Sequence, residues 1–531
     1  MPLRLAMAAL VAALPWLNPY AGGPSSWVAP WLFSAICGAV AFGLQAPALP
    51  HPGLGALLGA LAAWPLVRSG LTPETLALAG GCLLIWMMAA CADPRARGGA
   101  VVRFVATAWL VAALVSTAAA LLQYFALADR FEPWVNASAS HEAFANLRQR
   151  NQFASLTTIG MAAALWLAGR GLGRWPAIAA MAWLAAGNAA TTSRTGLLEL
   201  LLLGVATWWW TGARSERTRL WLAALAVYAL AAVALPVLAQ AVTGSATNPL
   251  WMRVAGSDPC GSRLVLWSNV AHLISLRPWL GWGWGELDFA HYTTLYQGPR
   301  FCDILDNAHN LPLHVAVELG LPAALVLCGV VVWAIARARP WREADDTRQL
   351  AWAVLLVLAA HSMLEYPLWY GPFQMAFGAA LGLLWPAPKG PASEERVAPM
   401  VVAAAAIALA GGAVWDYWRA SQIYLPSERR AAAWRHEPLA RLQDDWLFRG
   451  PVRFAQLTLT PLTRDNAAWT FRTAGELLHY SPEPRVIEKL LESALLLGRD
   501  DVALAQLARF RAAFPDAYAA WSEANRVPIR R

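Results

Sequence analysis

The chain has 531 residues, of which 58% are hydrophobic and only 14% charged, against roughly 25% charged in an ordinary soluble domain. A soluble protein of this length needs two or three domains with polar exteriors, and this composition cannot supply them. A single soluble globule and intrinsic disorder are therefore excluded, and the solvent for most of the chain is lipid. The net charge of +8 sits mostly on Arg scattered between apolar runs, which is topogenic charge rather than a basic groove for nucleic acid.

Apolar runs near the roughly 20 residues that cross a bilayer occur at 3–19, 27–45, 54–67, 75–91, 104–127, 153–168, 176–190, 195–211, 220–241, 311–336, 350–366, 371–386 and 398–416. The fold class they predict is an all-α polytopic membrane protein with about thirteen transmembrane helices. The first run, which begins at Arg4, has no small-residue cleavage site after it and reads as a retained span. Many of the 30 tryptophans, among them Trp16, Trp109, Trp175, Trp341 and Trp352, lie where a run meets a polar loop, the place an indole prefers.

With the N-terminus inside, the short inner loops carry Arg95, Arg97, Arg103, Arg170, Arg174, Arg214, Arg217, Arg219, Arg337, Arg339, Arg342, Arg348, Lys389 and Arg396. The short outer loops carry only Arg68, Arg130, Arg148, Arg150 and Arg194. This positive-inside bias puts the long polar loop 242–310 and the tail 417–531 outside, which in a bacterial inner membrane is the periplasm. Residues 1–416 then form a transmembrane domain carrying the loop, and 417–531 a small helical periplasmic domain. Helical periodicity in the tail covers Asn466–Tyr480, Arg485–Leu497 and Asp501–Phe514. Pro482, Pro484, Gly498 and Pro515 punctuate it, in the manner of one tetratricopeptide-type hairpin.

Polar chemistry concentrates in the loop, which holds Arg253, Arg263, Arg277, Arg300, His272, His291, Asp303 and Asp306 and ends in Asp306-Asn307-Ala308-His309-Asn310 just before an apolar run. His309 sits where a neutral imidazole can serve as a general base, with Asn307 or Asn310 as the helix N-cap. By position alone, an interfacial His beside a helix start is the plainer reading. His314 and Glu318 lie one and two turns into the same run, and ionisable groups inside a span are functional candidates. Arg150 and Arg194 precede spans at the outer level, and with Arg263 they are three guanidinium groups suited to phosphate oxygens. No metal-ligand spacing and no Gly-rich nucleotide loop occurs, so neither a metal nor another cofactor is expected. Cys260 and Cys302 bracket most of the loop and can form a disulfide in an oxidising compartment. Closing about 40 residues restricts the unfolded chain by roughly 3–4 kcal/mol on the entropy model. Cys37, Cys82, Cys91 and Cys328 lie in or beside apolar runs as packing residues.

Several short stretches recur together in a known order: Arg150-Asn151-Gln152-Phe153-Ala154, Ser193-Arg194-Thr195-Gly196-Leu197-Leu198, Arg263-Leu264-Val265-Leu266-Trp267, Pro278-Trp279-Leu280-Gly281-Trp282-Gly283, His309-Asn310-Leu311 and Glu318-Leu319-Gly320-Leu321-Pro322. This ordered set resembles the O-antigen ligase and polymerase superfamily of polytopic, GT-C-like glycosyltransferases. His361-Ser362-Met363-Leu364-Glu365-Tyr366-Pro367-Leu368-Trp369-Tyr370 resembles its bacterial protein O-oligosaccharyltransferases, which also carry a C-terminal periplasmic domain. The resemblance covers 100–390 and reaches the tail only in placement; it departs at His314, where many relatives have Gln.

The resemblance implies transfer of a glycan from an undecaprenyl-diphosphate carrier to a hydroxyl of an acceptor protein, without a nucleotide sugar. It implies His309 as the residue that activates the acceptor and Arg194 and Arg263 as the diphosphate holders, with Arg150 beside them. Asn310, Glu318, Glu365 and Tyr366 are supporting residues. Ligation of O-antigen to a lipid A core and polymerisation of repeat units are the alternatives. A transporter would be expected to show internal repeats and midplane charges.

Overall fold

A computed structural model describes residues 2–45, 50–93, 99–244, 260–386 and 397–525. Arg95, Arg97, Arg253, Lys389 and Arg396 lie outside them. Among the described residues the regular structure is entirely helical. That is what a chain in lipid requires, because a helix satisfies its own backbone polar groups. The helices are α1 (Pro2–Leu17), α2 (Val28–Gln45), α3 (Pro52–Ser69), α4 (Pro73–Cys91), α5 (Gly99–Tyr124), α6 (Arg150–Ala168), α7 (Arg174–Ala190), α8 (Arg194–Thr211) and α9 (Glu216–Thr243). After them come α10 (Arg263–Leu276), α11 (Leu287–Thr293), α12 (Leu311–Leu319), α13 (Leu321–Ala338), α14 (Asp346–Ser362), α15 (Gly371–Leu384) and α16 (Val397–Ser421). The tail folds as α17 (Arg449–Leu459), α18 (Ala467–Leu477), α19 (Pro484–Leu496), α20 (Asp500–Ala513) and α21 (Pro515–Ala524).

Each apolar run carries a helix, and six segments among the described residues are long and apolar enough to cross a membrane: Val28–Gln45, Pro73–Cys91, Gly99–Tyr124, Glu216–Thr243, Leu321–Arg342 and Val397–Tyr424. Two of them, α9 and α16, present Leu230, Val233, Val237, Leu238, Val401 and Leu409 outward, an apolar surface of the kind that lipid covers. The protein is thus a multi-pass membrane protein. One expectation needs correction: the run 311–336 is not a single span. The chain breaks at Gly320, whose φ is +92°, and the membrane-competent helix begins at Leu321.

The chain divides into two compact units. The first comprises Met1–Trp64, Ala77–Gly256 and Val331–Val414. Its central helix is α6, buried from Gln152 to Leu167, and a helix buried all round lies in the middle of a bundle. Around it pack α5, α7, α8 and α14. Small residues set the spacing, as they do between helices in lipid. A Cβ on Gly378 would fall 2.4 Å from the Ile85 carbonyl oxygen, and one on Gly382 2.0 Å from that of Ala89, so α15 and α4 touch backbone to backbone. At one end of the unit Asp346 accepts from Arg170 and Arg217, each at 2.9 Å, tying the end of α6 to the starts of α9 and α14.

The second unit comprises Pro65–Leu76, Ser257–Val330 and Trp415–Arg531. One core joins α10, α11 and α12 through Leu266, Val270, Leu287, Leu305, Val315 and Val317. Another joins the tail helices through Phe454, Leu477, Ile487, Leu490 and Phe510, and Tyr292 of α11 is part of it. Tyr292 is buried and its hydroxyl donates to Gln506 Oε1 at 2.7 Å. The ring of Phe289 stacks on His479, which pairs with Glu286 at 2.6 Å. Loop and tail therefore share a core, a contact that no local pattern announces.

Candidate active site

The three candidate arginines share one local design. Arg150, Arg194 and Arg263 are the first residues of α6, α8 and α10. The side chain before each accepts from the backbone of the first turn: Gln149 from Gln152 N at 2.7 Å, Ser193 from Gly196 N at 2.9 Å and Ser262 from Val265 N at 3.3 Å. A capped helix start exposes N–H groups at the positive end of the helix dipole, which favours anions. A guanidinium on the first residue adds a full charge at that pole.

In the first unit, α6 and α8 start side by side. Ser193 Oγ donates to Asn151 Oδ1 at 2.6 Å, and Asn151 Nδ2 donates to Glu365 Oε1 at 3.1 Å. One amide thus joins the residues beside Arg150 and Arg194 to the turn after α14 that carries Glu365 and Tyr366. Tyr366 lies in an aromatic cluster with Trp369 and Tyr370, at ring-centroid distances of 6.4 and 6.0 Å. Arg194 is exposed. Arg150 instead pairs with Glu142 at 3.0 Å, so part of its charge is already neutralised within the protein.

In the second unit, His309 stands two residues before α12. Its φ is +50°, a left-handed conformation that costs a non-glycine residue energy and persists only where its surroundings impose it. They do so here. Asn307 Oδ1 accepts from His309 N at 2.9 Å, Trp267 Nε1 donates to the Ala308 carbonyl at 3.1 Å, and Asn310 caps α12 by accepting from Leu313 N at 3.1 Å. Arg263 lies one turn before Trp267, on the same face of α10. Cys260 and Cys302 are joined by a disulfide, with Cα atoms 5.4 Å apart, which ties the approach to α10 to the segment leading to His309.

Glu318 and His314 are both buried, with His314 Nε2 3.3 Å from Glu318 Oε2. Glu318 Oε2 also accepts from Gly285 N at 3.0 Å. The segment Pro278–Gly283 zips along the end of α12: Trp282 N donates to Val317 O at 2.9 Å, Gly283 N to Glu318 O at 3.0 Å and Leu321 N to Pro278 O at 2.8 Å. Gly281 and Gly320 permit this, since a Cβ on either would stand 2.3 or 2.2 Å from a carbonyl oxygen of the other segment. Further along, His291 is buried with Nδ1 2.8 Å from the Tyr296 hydroxyl and Nε2 3.2 Å from the Phe301 carbonyl. The carbonyl only accepts, so Nε2 bears the hydrogen and Nδ1 accepts. Burial and the nearby Arg300 charge push the His291 pKa down to about 3.

Two residues, Ser155 and Glu199, escaped the sequence reasoning, and a third, His361, entered it only as part of a motif. Ser155 Oγ donates to Glu199 Oε1 at 2.7 Å and lies 2.7 Å from His361 Nδ1, and all three side chains are fully buried. Glu199 interrupts an otherwise apolar stretch, Leu197–Leu203. That isolated carboxylate is the signal that could have found the cluster. Among the described residues no group of three or more His, Cys, Asp or Glu side chains is placed to hold a metal ion.

Residues 143–168 match a family described as protein glycosylation ligase, 179–328 one described as O-antigen ligase, and 349–527 one described as the C-terminal part of a virulence factor membrane-bound polymerase. The general O-oligosaccharyltransferase of Acinetobacter baylyi is 24% identical over 282 residues, or 51% of this chain. The match spans about half of that relative's length, 48%. The matched regions contain Arg150, Arg194, Arg263, His309 and Glu365 between them, and together these matches support a protein glycosylation ligase type within the O-antigen ligase superfamily.

Proposed function

We propose that the protein transfers an oligosaccharide en bloc from an undecaprenyl-diphosphate carrier to Ser or Thr hydroxyls of periplasmic or pilin-like proteins. It does so without a metal, at the periplasmic face of a bacterial inner membrane that it crosses about thirteen times. The observation that carries the reading is His309, held in a left-handed conformation ahead of the capped start of α12, with Arg263 opening the neighbouring α10. The acceptor oxygen bonds to the anomeric carbon as the bond from that carbon to the diphosphate breaks. The hydroxyl proton passes to His309, and the electron pair leaves with the lipid diphosphate. A Ser or Thr hydroxyl is a weak nucleophile that gains from a base, and a diphosphate leaving group gains from fixed cationic donors. Arg263 and Arg194 are the donors assigned to it. Arg150, paired with Glu142, has an auxiliary part.

A second reading, ligation of glycan to a lipid A core or polymerisation of repeat units, draws on the O-antigen ligase match over 179–328 and the polymerase match over 349–527. The test is glycan transfer in a bacterial strain that supplies a lipid-linked oligosaccharide and lacks its own ligases, offered a pilin-like protein and a lipopolysaccharide core. Wild type is expected to glycosylate the protein, and His309→Ala at matched expression to lose at least a hundredfold in rate. Sugar on the lipid core alone moves the assignment to a ligase. Equal transfer by the variant removes His309 from the mechanism.

A further inference from the structure

Asn307 is only 3% exposed, and its amide orientation follows from chemistry. The His309 N–H requires an oxygen, so Oδ1 faces it at 2.9 Å and Nδ2 points elsewhere. Nδ2 is buried and meets no acceptor among the described residues. Nearby Asn269 shows the usual state of a buried amide here: its Oδ1 accepts from Phe301 N at 2.8 Å and its Nδ2 donates to the Pro299 carbonyl at 2.9 Å. An unpaired buried donor is costly and calls for an explanation. The surroundings indicate which acceptor would suit it. The start of α12 is a positive pole, Arg263 opens the neighbouring helix, and an anionic oxygen is the partner such a field favours. Asp306, the adjacent carboxylate, is exposed.

We infer that Asn307 is a further substrate-binding residue of the His309 site, its Nδ2 donating to a phosphate oxygen of the lipid-diphosphate donor. This rests on the glycan-transfer reading above. Asn307 then has two tasks: one side of its amide holds the His309 backbone in place, and the other binds the group that leaves.

The two tasks separate by substitution in the full-length protein. Asn307→Asp keeps an oxygen for His309 N and replaces the donor with a carboxylate oxygen. Asn307→Ser also keeps an acceptor for the N–H two residues on, as Ser does in such turns, adds no charge, and does not reach the position of Nδ2. Both variants are expected to raise the KM for the lipid-linked donor at least tenfold, to leave the KM for the acceptor unchanged, and to abolish the rise in melting temperature that inorganic pyrophosphate gives the wild type. Comparing each variant with and without pyrophosphate keeps the result readable if one of them melts lower. A donor KM and a pyrophosphate shift equal to wild type in Asn307→Ser would overturn the inference, because only the backbone bond would then matter. Wild type without any glycan transfer overturns the functional reading instead, a result distinct from active wild type with an indifferent Asn307→Ser.

Discussion

His309 shows how a single residue is held against its own preference. The left-handed backbone at this position is supported from three sides, by the Asn307 side chain, by Trp267 on the preceding carbonyl and by the Asn310 cap. The sequence exposed His309 as a candidate because a polar residue abuts an apolar run, yet nothing local reveals that its backbone is bent. His291 was equally visible as a loop histidine, and its role is the opposite: it is buried, neutral and fully bonded. The sign of its effect on stability follows directly. Its folded pKa of about 3 lies below the ordinary value near 6.5, so the unfolded chain binds the proton more tightly. Its contribution to stability is complete above pH 6.5 and is lost as the pH falls toward 3, at a slope of about 1.4 kcal/mol per pH unit for one proton. In thermal melts in detergent between pH 7 and pH 4 this contribution adds to those of the other titrating groups of the wild type. The slope is expected to flatten in His291→Gln, which can still bond to Tyr296 and Phe301.

Among the helices, spacing decides more than propensity does. The pair Gly378 and Gly382 lets α15 lie against the backbone of α4, with no room for a Cβ at either position. Gly382→Leu forces the helices apart and is expected to destabilise the first unit by about 3 kcal/mol, at the upper end of overpacking effects. Gly412 on α16 has nothing within 4 Å of its Cβ position. Gly412→Ala is expected to be neutral or stabilising by up to about 1 kcal/mol, the usual helix-propensity gain. Melting temperatures of both variants in one detergent check the pair. The run 311–336 was misread at this same scale. Hydropathy is continuous across Gly320, so the run looks like one span, and the break comes from the segment Pro278–Gly283 packing against α12. That segment lies some 40 residues away in the chain and is invisible to a window that slides along it.

The molecule as a whole distributes the candidate residues over two units. The first holds Arg150, Arg194 and Glu365 on helix ends joined by Asn151 and Ser193. The second holds Arg263 and His309 on a loop whose own helix, α11, is seated in the core of the tail. The loop is thereby braced by the tail helices and by the Cys260–Cys302 bridge, which closes a sequence separation of 42 residues. The double variant Cys260→Ser with Cys302→Ser is expected to lose roughly 3–4 kcal/mol from the second unit on the entropy model. Limited proteolysis would report this as faster cleavage within 260–310, and unchanged cleavage would count against a stabilising bridge. The fused core has a sequence signature only in hindsight: Phe289 and Tyr292 lie three residues apart on one face of a short helix.

From the sequence alone follow the membrane environment, the all-helical class, and the candidacy of His309, Arg150 and Arg194 at the edges of apolar runs. All of these depend on composition, on apolar run length or on residues within one turn of each other. Tertiary structure alone decided the break at Gly320, the pairing of Arg150 with Glu142, the buried contacts among Ser155, Glu199 and His361, the seating of α11 in the tail, and the half-used amide of Asn307. Each of these depends on which atoms distant segments bring into reach, and a side chain's hydrogen-bond partner is set by packing rather than by its neighbours in the chain.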